Sequence, residues 1–166
     1  MKTSARIQNL DIHLTHYTFT KRFSENLTPK TFKFPFRVAW VDTDAAQVVH
    51  FSNYFKFFEK IEEEFYRHLG FNFNYFVERG MWLPRVEAFC QYKKPAKFND
   101  LLEGELIVEE LREKSVKYHF KIFNKETATL IAEGYVVAVT ADKNTGRAVQ
   151  IPKYFLEKLK PYCKRL

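Results

Sequence analysis

The sequence predicts an α+β domain in which a single antiparallel sheet wraps one long central helix, and three observations predict it. Phe32, Phe34, Phe36, Val38 and Trp40 fall on every second residue, the period of a strand. Tyr54, Phe58, Ile61, Phe65 and Leu69 then recur at three- and four-residue steps, which aligns them on one face of a helix from about Asn53 to Leu69, with Gly70 as its stop signal. After the helix comes a run of roughly four to five strand-like segments with no second long helix, an order that leaves one antiparallel sheet against one helix.

Residues 1–30 mix polar, charged and aromatic residues without a sustained period and read as an extension ahead of a domain at 31–166. Within them Ile12, Leu14, Tyr17 and Phe19 could add a strand. Ser52 or Asn53 can cap the long helix, and Glu63 with Arg67 and Lys60 with Glu64 stand four residues apart, as ion pairs along a helix do. Phe71–Phe76 is irregular, and Pro84 marks the start of a strand or a sheet edge. Val86, Ala88, Cys90 and Tyr92 alternate with Arg85, Glu87 and Gln91 until Pro95 and Asn99–Asp100 turn the chain. A strand follows from about Leu102 to Glu110. In the next, Val116, Tyr118, Phe120 and Ile122 alternate with Lys117, His119 and Lys121, so one face is buried and the other wet. Asn124–Thr127 turns the chain into Leu130–Ala141, apolar on both faces and therefore central; Lys143–Gly146 turns it again, and Pro152 opens a short helix.

Composition narrows the function classes. The 166 residues suit one domain, and an apolar share of 46% with 18 Phe excludes a disordered chain. A formal charge of +7 favours anionic partners, yet Lys and Arg are spread throughout, which argues for a basic surface that suits a phosphate-rich carrier over a nucleic-acid face. Cys90 and Cys163 form no zinc or disulfide spacing, no apolar run suits a membrane helix, and the N-terminus lacks a secretory apolar core; the expectation is a cytoplasmic protein without metal or membrane insertion. A phosphate-binding Gly-rich loop and a G-x-S-x-G elbow are both missing, so a serine-hydrolase reading has no support.

The chemistry concentrates between strand and helix. Asp42 and Asp44 end the first strand just before the helix, where carboxylates meet unpaired N–H groups and the positive end of the dipole; spacing alone does not separate their roles. This stretch, D-T-D-A-A-x-V-V-x-F-S-N-Y-F, resembles the signature of hot-dog-fold acyl-CoA thioesterases, the 4-hydroxybenzoyl-CoA thioesterase group. The resemblance continues in Glu78-Arg79-Gly80, in Tyr92-Lys93-Lys94-Pro95-Ala96 with Asp100 beyond, and in Arg112-Glu113-Lys114-Ser115, covering roughly Phe36 to the C-terminus.

The resemblance implies a hot-dog fold, hydrolysis of an acyl-CoA thioester, no cofactor beyond the CoA of the substrate, and a homodimer or homotetramer with sites between subunits. It makes Asp44 the catalytic carboxylate, as nucleophile or general base, with Asp42 in support, and it puts the backbone N–H of Phe51 on the thioester carbonyl. His50 takes a pocket-lining role first, with a catalytic base as the alternative, one residue before the position where some relatives carry a functional His. Glu59 matches an acidic residue facing the far end of the acyl pocket, and Glu59 or Glu62 is the fallback carboxylate. Arg112, Lys114 and Ser115 match the CoA-phosphate stretch, with Glu113 where one relative type has a basic residue. Gln47 departs from the usual Gly, at a cost on the order of 1 kcal/mol in a left-handed turn. The rival readings are a non-catalytic acyl-CoA sensor, an acyl-carrier-protein thioesterase and a basic nucleic-acid-binding domain.

Overall fold

A computed structural model of the chain describes residues 28–72 and 74–164, so most of the extension expected at 1–30, including Ile12–Phe19, lies outside the described residues. The elements run β1 (Phe32–Arg37), α1 (Asn53–His68), α2 (Asn74–Val77), β2 (Met81–Trp82), β3 (Arg85–Tyr92), β4 (Leu101–Leu111), β5 (Ser115–Asn124), β6 (Leu130–Val139), β7 (Ala141–Asp142) and α3 (Lys153–Leu159). Five strands form one antiparallel sheet in the order β1-β4-β5-β6-β3, with α1 packed across it; β2 and β7 make a small separate ladder. This is the predicted α+β hot-dog arrangement.

The alternation of each strand explains its placement. On β4 and β5 every second residue is buried, and Leu102, Leu106, Tyr118, Phe120 and Ile122 meet α1. From the helix come Tyr54, Phe57, Phe58, Ile61, Phe65 and Tyr66. Phe58 stacks on Phe120 with ring centroids 4.6 Å apart. Each such large apolar side chain contributes roughly 1.5–3 kcal/mol on burial. The close approach depends on Gly134: a Cβ there would stand 2.1 Å from the Phe89 carbonyl oxygen and 2.9 Å from the Phe58 ring.

Two departures from the sequence reading shape the site. The first strand stops at Arg37 instead of continuing to Trp40, because the Asp42 carboxylate accepts the Ala39 backbone N–H at 2.8 Å and winds Trp40–Asp42 into a 3-10 turn. Trp40 and Val41 are left 81% and 83% exposed. The second concerns β3, a sheet edge as Pro84 suggested, which pairs with β6 alone among the described residues but is exposed along most of its length on both faces; Val86 is 62% exposed. An edge strand with apolar side chains on display has unused pairing capacity. On α1, Lys60 lies over the Phe36 ring and not beside Glu64, while Arg67 pairs with both Glu63 and Glu64.

Candidate active site

The loop from Asp42 to Ser52 is held by its own backbone. Thr43 bridges Val49, the Asp44 N–H donates to the Val48 carbonyl at 3.0 Å, and the Gln47 N–H returns to the Asp44 carbonyl at 2.9 Å. Gln47 sits at φ 62°, so the left-handed turn is kept although the residue is not Gly. Asp44 Oδ1 accepts the Ala46 N–H at 2.8 Å, and its Oδ2 has no partner among the described residues. Asp42 points the other way, with its carboxylate on Ala39 and its carbonyl accepting the His50 N–H and the Asn53 side-chain amide, each at 2.9 Å. The structure thus separates two Asp that spacing left equivalent: Asp42 braces the loop from both ends, and Asp44 keeps a free oxygen.

The start of α1 is left open as well. Neither Ser52 nor Asn53 caps α1, against expectation. Ser52 Oγ lies 2.8 Å from His50 Nδ1, and Asn53 is spent on Asp42. The first turn therefore has no side-chain cap, and the Phe51 N–H donates to nothing among the described residues. Phe51 itself is 63% exposed, its carbonyl accepting the Tyr92 hydroxyl at 3.1 Å. A small groove of about 310 Å³ opens beside it, lined by Val48, Tyr54, Tyr92, Lys93 and Lys94 among others. Burial pushes the Tyr54 hydroxyl up to about 12 and the Cys90 thiol up to about 11, so both stay protonated at neutral pH.

Residues 38–159 match the Thioesterase-like superfamily. The chain belongs to that superfamily. It is 37% identical to a putative esterase of Aquifex aeolicus, over 75% of this chain and 94% of that protein. It is 29% identical to the acyl-CoA thioester hydrolase YbgC of Escherichia coli, over 78% and 96%. The structure of a gentisyl-coenzyme A thioesterase superposes with a TM-score of 0.68 at 30% identity, covering 75% of this chain and 98% of that one.

The other candidates of this thioesterase-like chain fall in two further places. Arg112, Lys114 and Ser115 form the β4–β5 turn. Because Leu101 at the start of β4 pairs with Arg37, that turn is at the far end of a strand of 11 residues, roughly 33 Å from the Asp44 end. One chain does not bring them together. Arg112 is engaged by Glu110 at 2.9 Å, whereas the Lys114 ammonium has no partner among the described residues. Glu59 and Glu62 line a separate cavity of about 780 Å³ between α1 and β3. Glu62, one of the two fallback carboxylates, is buried. It accepts Arg85 and the Tyr66 hydroxyl, each at 2.5 Å, and Tyr66 meets the Tyr118 hydroxyl at 3.1 Å. Burial pulls the Arg85 guanidinium down, but the Glu62 charge and hydrogen bond outweigh it and hold it raised. The signal for Glu62 was its position between Ile61 and Phe65 with Tyr66 one turn on. Among the described residues no three His, Cys, Asp or Glu are placed to hold a metal ion, and no helix is long and apolar enough to cross a membrane.

Proposed function

We propose that the protein hydrolyses the thioester of an acyl- or aroyl-CoA to free acid and CoA, with Asp44 as the catalytic carboxylate. The observation that carries this reading is the N-terminus of α1, uncapped and, among the described residues, with the Phe51 N–H unpartnered and one oxygen of Asp44 free in the loop that leads into it. The thioester carbonyl oxygen accepts that N–H, and the positive helix end stabilises the charge that builds on it as the carbon is attacked. Asp44 either adds to the carbon, giving a mixed anhydride that water cleaves, or takes the proton of an attacking water. In both routes the C–S bond breaks and CoA leaves as the thiolate. Asp42 and His50 hold the loop and the Ser52 turn in place, and no cofactor is needed. Membership in the superfamily, and relatives named as thioesterases of acyl-CoA and gentisyl-CoA, support this substrate class. A reducing cytoplasm suits Cys90, which forms no disulfide among the described residues.

The active form in this reading is a homodimer, alone or paired into a tetramer. The exposed β3 edge supports it, and so does the distance between Asp44 and the Arg112–Ser115 turn. Antiparallel two-fold pairing of β3 with the partner's β3 reverses the second sheet, so the partner's β4–β5 turn comes to the same end as this chain's Asp44. The partner's turn then lies three strand spacings beyond its own β3, roughly 14 Å, within the span of a CoA molecule.

The test is free-thiol release from a panel of acyl-CoAs, followed by mixing two variants at substrate concentrations well below the Lys114→Ala KM, where each alone is impaired. Asp44→Asn and Lys114→Ala chains refolded together should regain about a quarter of wild-type activity, because each mixed dimer holds one intact site. No thiol release from any ester would overturn the reading; release without complementation would put the whole site within one chain.

A further inference from the structure

The 780 Å³ cavity between α1 and β3 holds a carboxylate that the folded chain leaves half used. Phe55, Glu59, Glu62 and Tyr66 follow one another at three- and four-residue steps, so they share the face of α1 that looks across to Arg85 and Ala88. The Glu62 side chain is 3% exposed. Its Oε1 takes both Arg85 and the Tyr66 hydroxyl, which fixes the group, while Oε2 accepts no hydrogen bond among the described residues. Nor is Oε2 sealed away: among the described residues the fully covered side-chain oxygen without a hydrogen bond is Glu109 Oε2, which the Lys117 ammonium approaches at 3.0 Å. A buried carboxylate oxygen, locked in direction on a residue that lines a cavity, is an acceptor for a ligand's donor; an alkyl tail in that place would leave it unpaired, a loss the folded state does not recover elsewhere.

Reach says which ligand can bring the donor. From Phe51 to Glu62 the chain advances roughly 16 Å along the helix, and the Glu side chain leans back toward the helix start. At about 1.3 Å of projected length per carbon–carbon bond, a tail of roughly ten to twelve carbons covers the gap. A single benzoyl ring spans less than half of it.

We propose that Glu62 is a specificity-determining residue of this cavity, receiving a hydroxyl at the far end of a medium-length acyl group, so that ω-hydroxyacyl thioesters are preferred over methyl-terminated ones. The inference rests on the thioesterase reading for the position of the thioester, and on the cavity for the rest. Arg85 and Tyr66 act as positioning residues, holding Oε1 so that Oε2 faces the ligand.

The experiment compares kcat/KM for 12-hydroxydodecanoyl-CoA and dodecanoyl-CoA, and for the 6-hydroxyhexanoyl-CoA and hexanoyl-CoA pair, which is too short to reach Glu62. Wild type should favour the hydroxylated ester by roughly tenfold or more in the long pair and show no preference in the short one. A Glu62→Met, Arg85→Leu double variant removes both charges together, so neither is left buried alone, and its long-pair ratio should fall to near one. Because each ratio is taken on one protein, partial loss of folded material cancels. Equal rates on the long pair, the same preference in both pairs, or a ratio that survives the double variant overturns the proposal. If no ester releases thiol, the thioesterase reading fails by itself. Calorimetry with 12-hydroxydodecanoate and dodecanoate then decides the cavity: tighter binding of the hydroxy acid supports it, and equal binding overturns it.

Discussion

Gln47 donates its backbone N–H to the Asp44 carbonyl at 2.9 Å while holding a left-handed φ of 62°. A residue with a Cβ is strained there, so the loop that presents Asp44 carries a local cost that Gly would avoid. Gln47→Gly should raise stability by up to about 1 kcal/mol, reduced by the greater freedom of Gly in the unfolded chain. The melting temperature should rise, by at most roughly 2–4 °C. A fall in melting temperature would mean that the Gln47 side chain stabilises the loop by more than its backbone strains it.

Asp44→Asn should fold normally, since the amide oxygen can still accept the Ala46 N–H, and should lose roughly a hundredfold or more of turnover. Asp42→Asn should lose less turnover, because its carboxylate is turned to Ala39. Steady-state rates and melting curves on both variants check this; near-normal turnover in Asp44→Asn with a lowered melting temperature would assign Asp44 to the scaffold and bring Glu59 and Glu62 forward.

Lys114→Ala should raise KM more than it lowers kcat, and by a larger factor than Arg112→Ala, because Glu110 already occupies the Arg112 guanidinium. Added salt should raise the wild-type KM and shrink the difference. An unchanged KM in both variants would move the phosphate site elsewhere.

Alkali should weaken the fold. Burial raises Cys90 from 9.0 to about 11 and Tyr54 from 10.0 to about 12, so between the ordinary and raised values the native state keeps protons that the unfolded chain releases. These groups contribute their stability fully below pH 9, lose it progressively above that, and have lost it beyond pH 12. Melting temperature measured from pH 8 to 11 should fall, and Cys90→Ala should flatten the first part of the decline. A flat profile in wild type would contradict the burial of these groups.

The sequence alone determined the layers and the loop. Period-two runs such as Val116–Ile122 and the three-four spacing of Tyr54–Leu69 are local consequences of strand and helix geometry, so sheet, helix and their facing sides could be read without coordinates. The signature around Asp44 and Phe51 was legible for the same reason, being contiguous in the chain. What tertiary structure decided are the relationships that depend on which groups compete for a partner in space. Asp42 and Asp44 parted because the Ala39 N–H captured one carboxylate; Ser52 and Asn53 left α1 uncapped because His50 and Asp42 offered them other bonds. Glu62 met its partner only when Arg85, 23 residues later, was folded against it. The Arg112–Ser115 turn and Asp44 lie at opposite ends of one sheet because a strand the length of β4 separates them, a distance no motif spacing encodes.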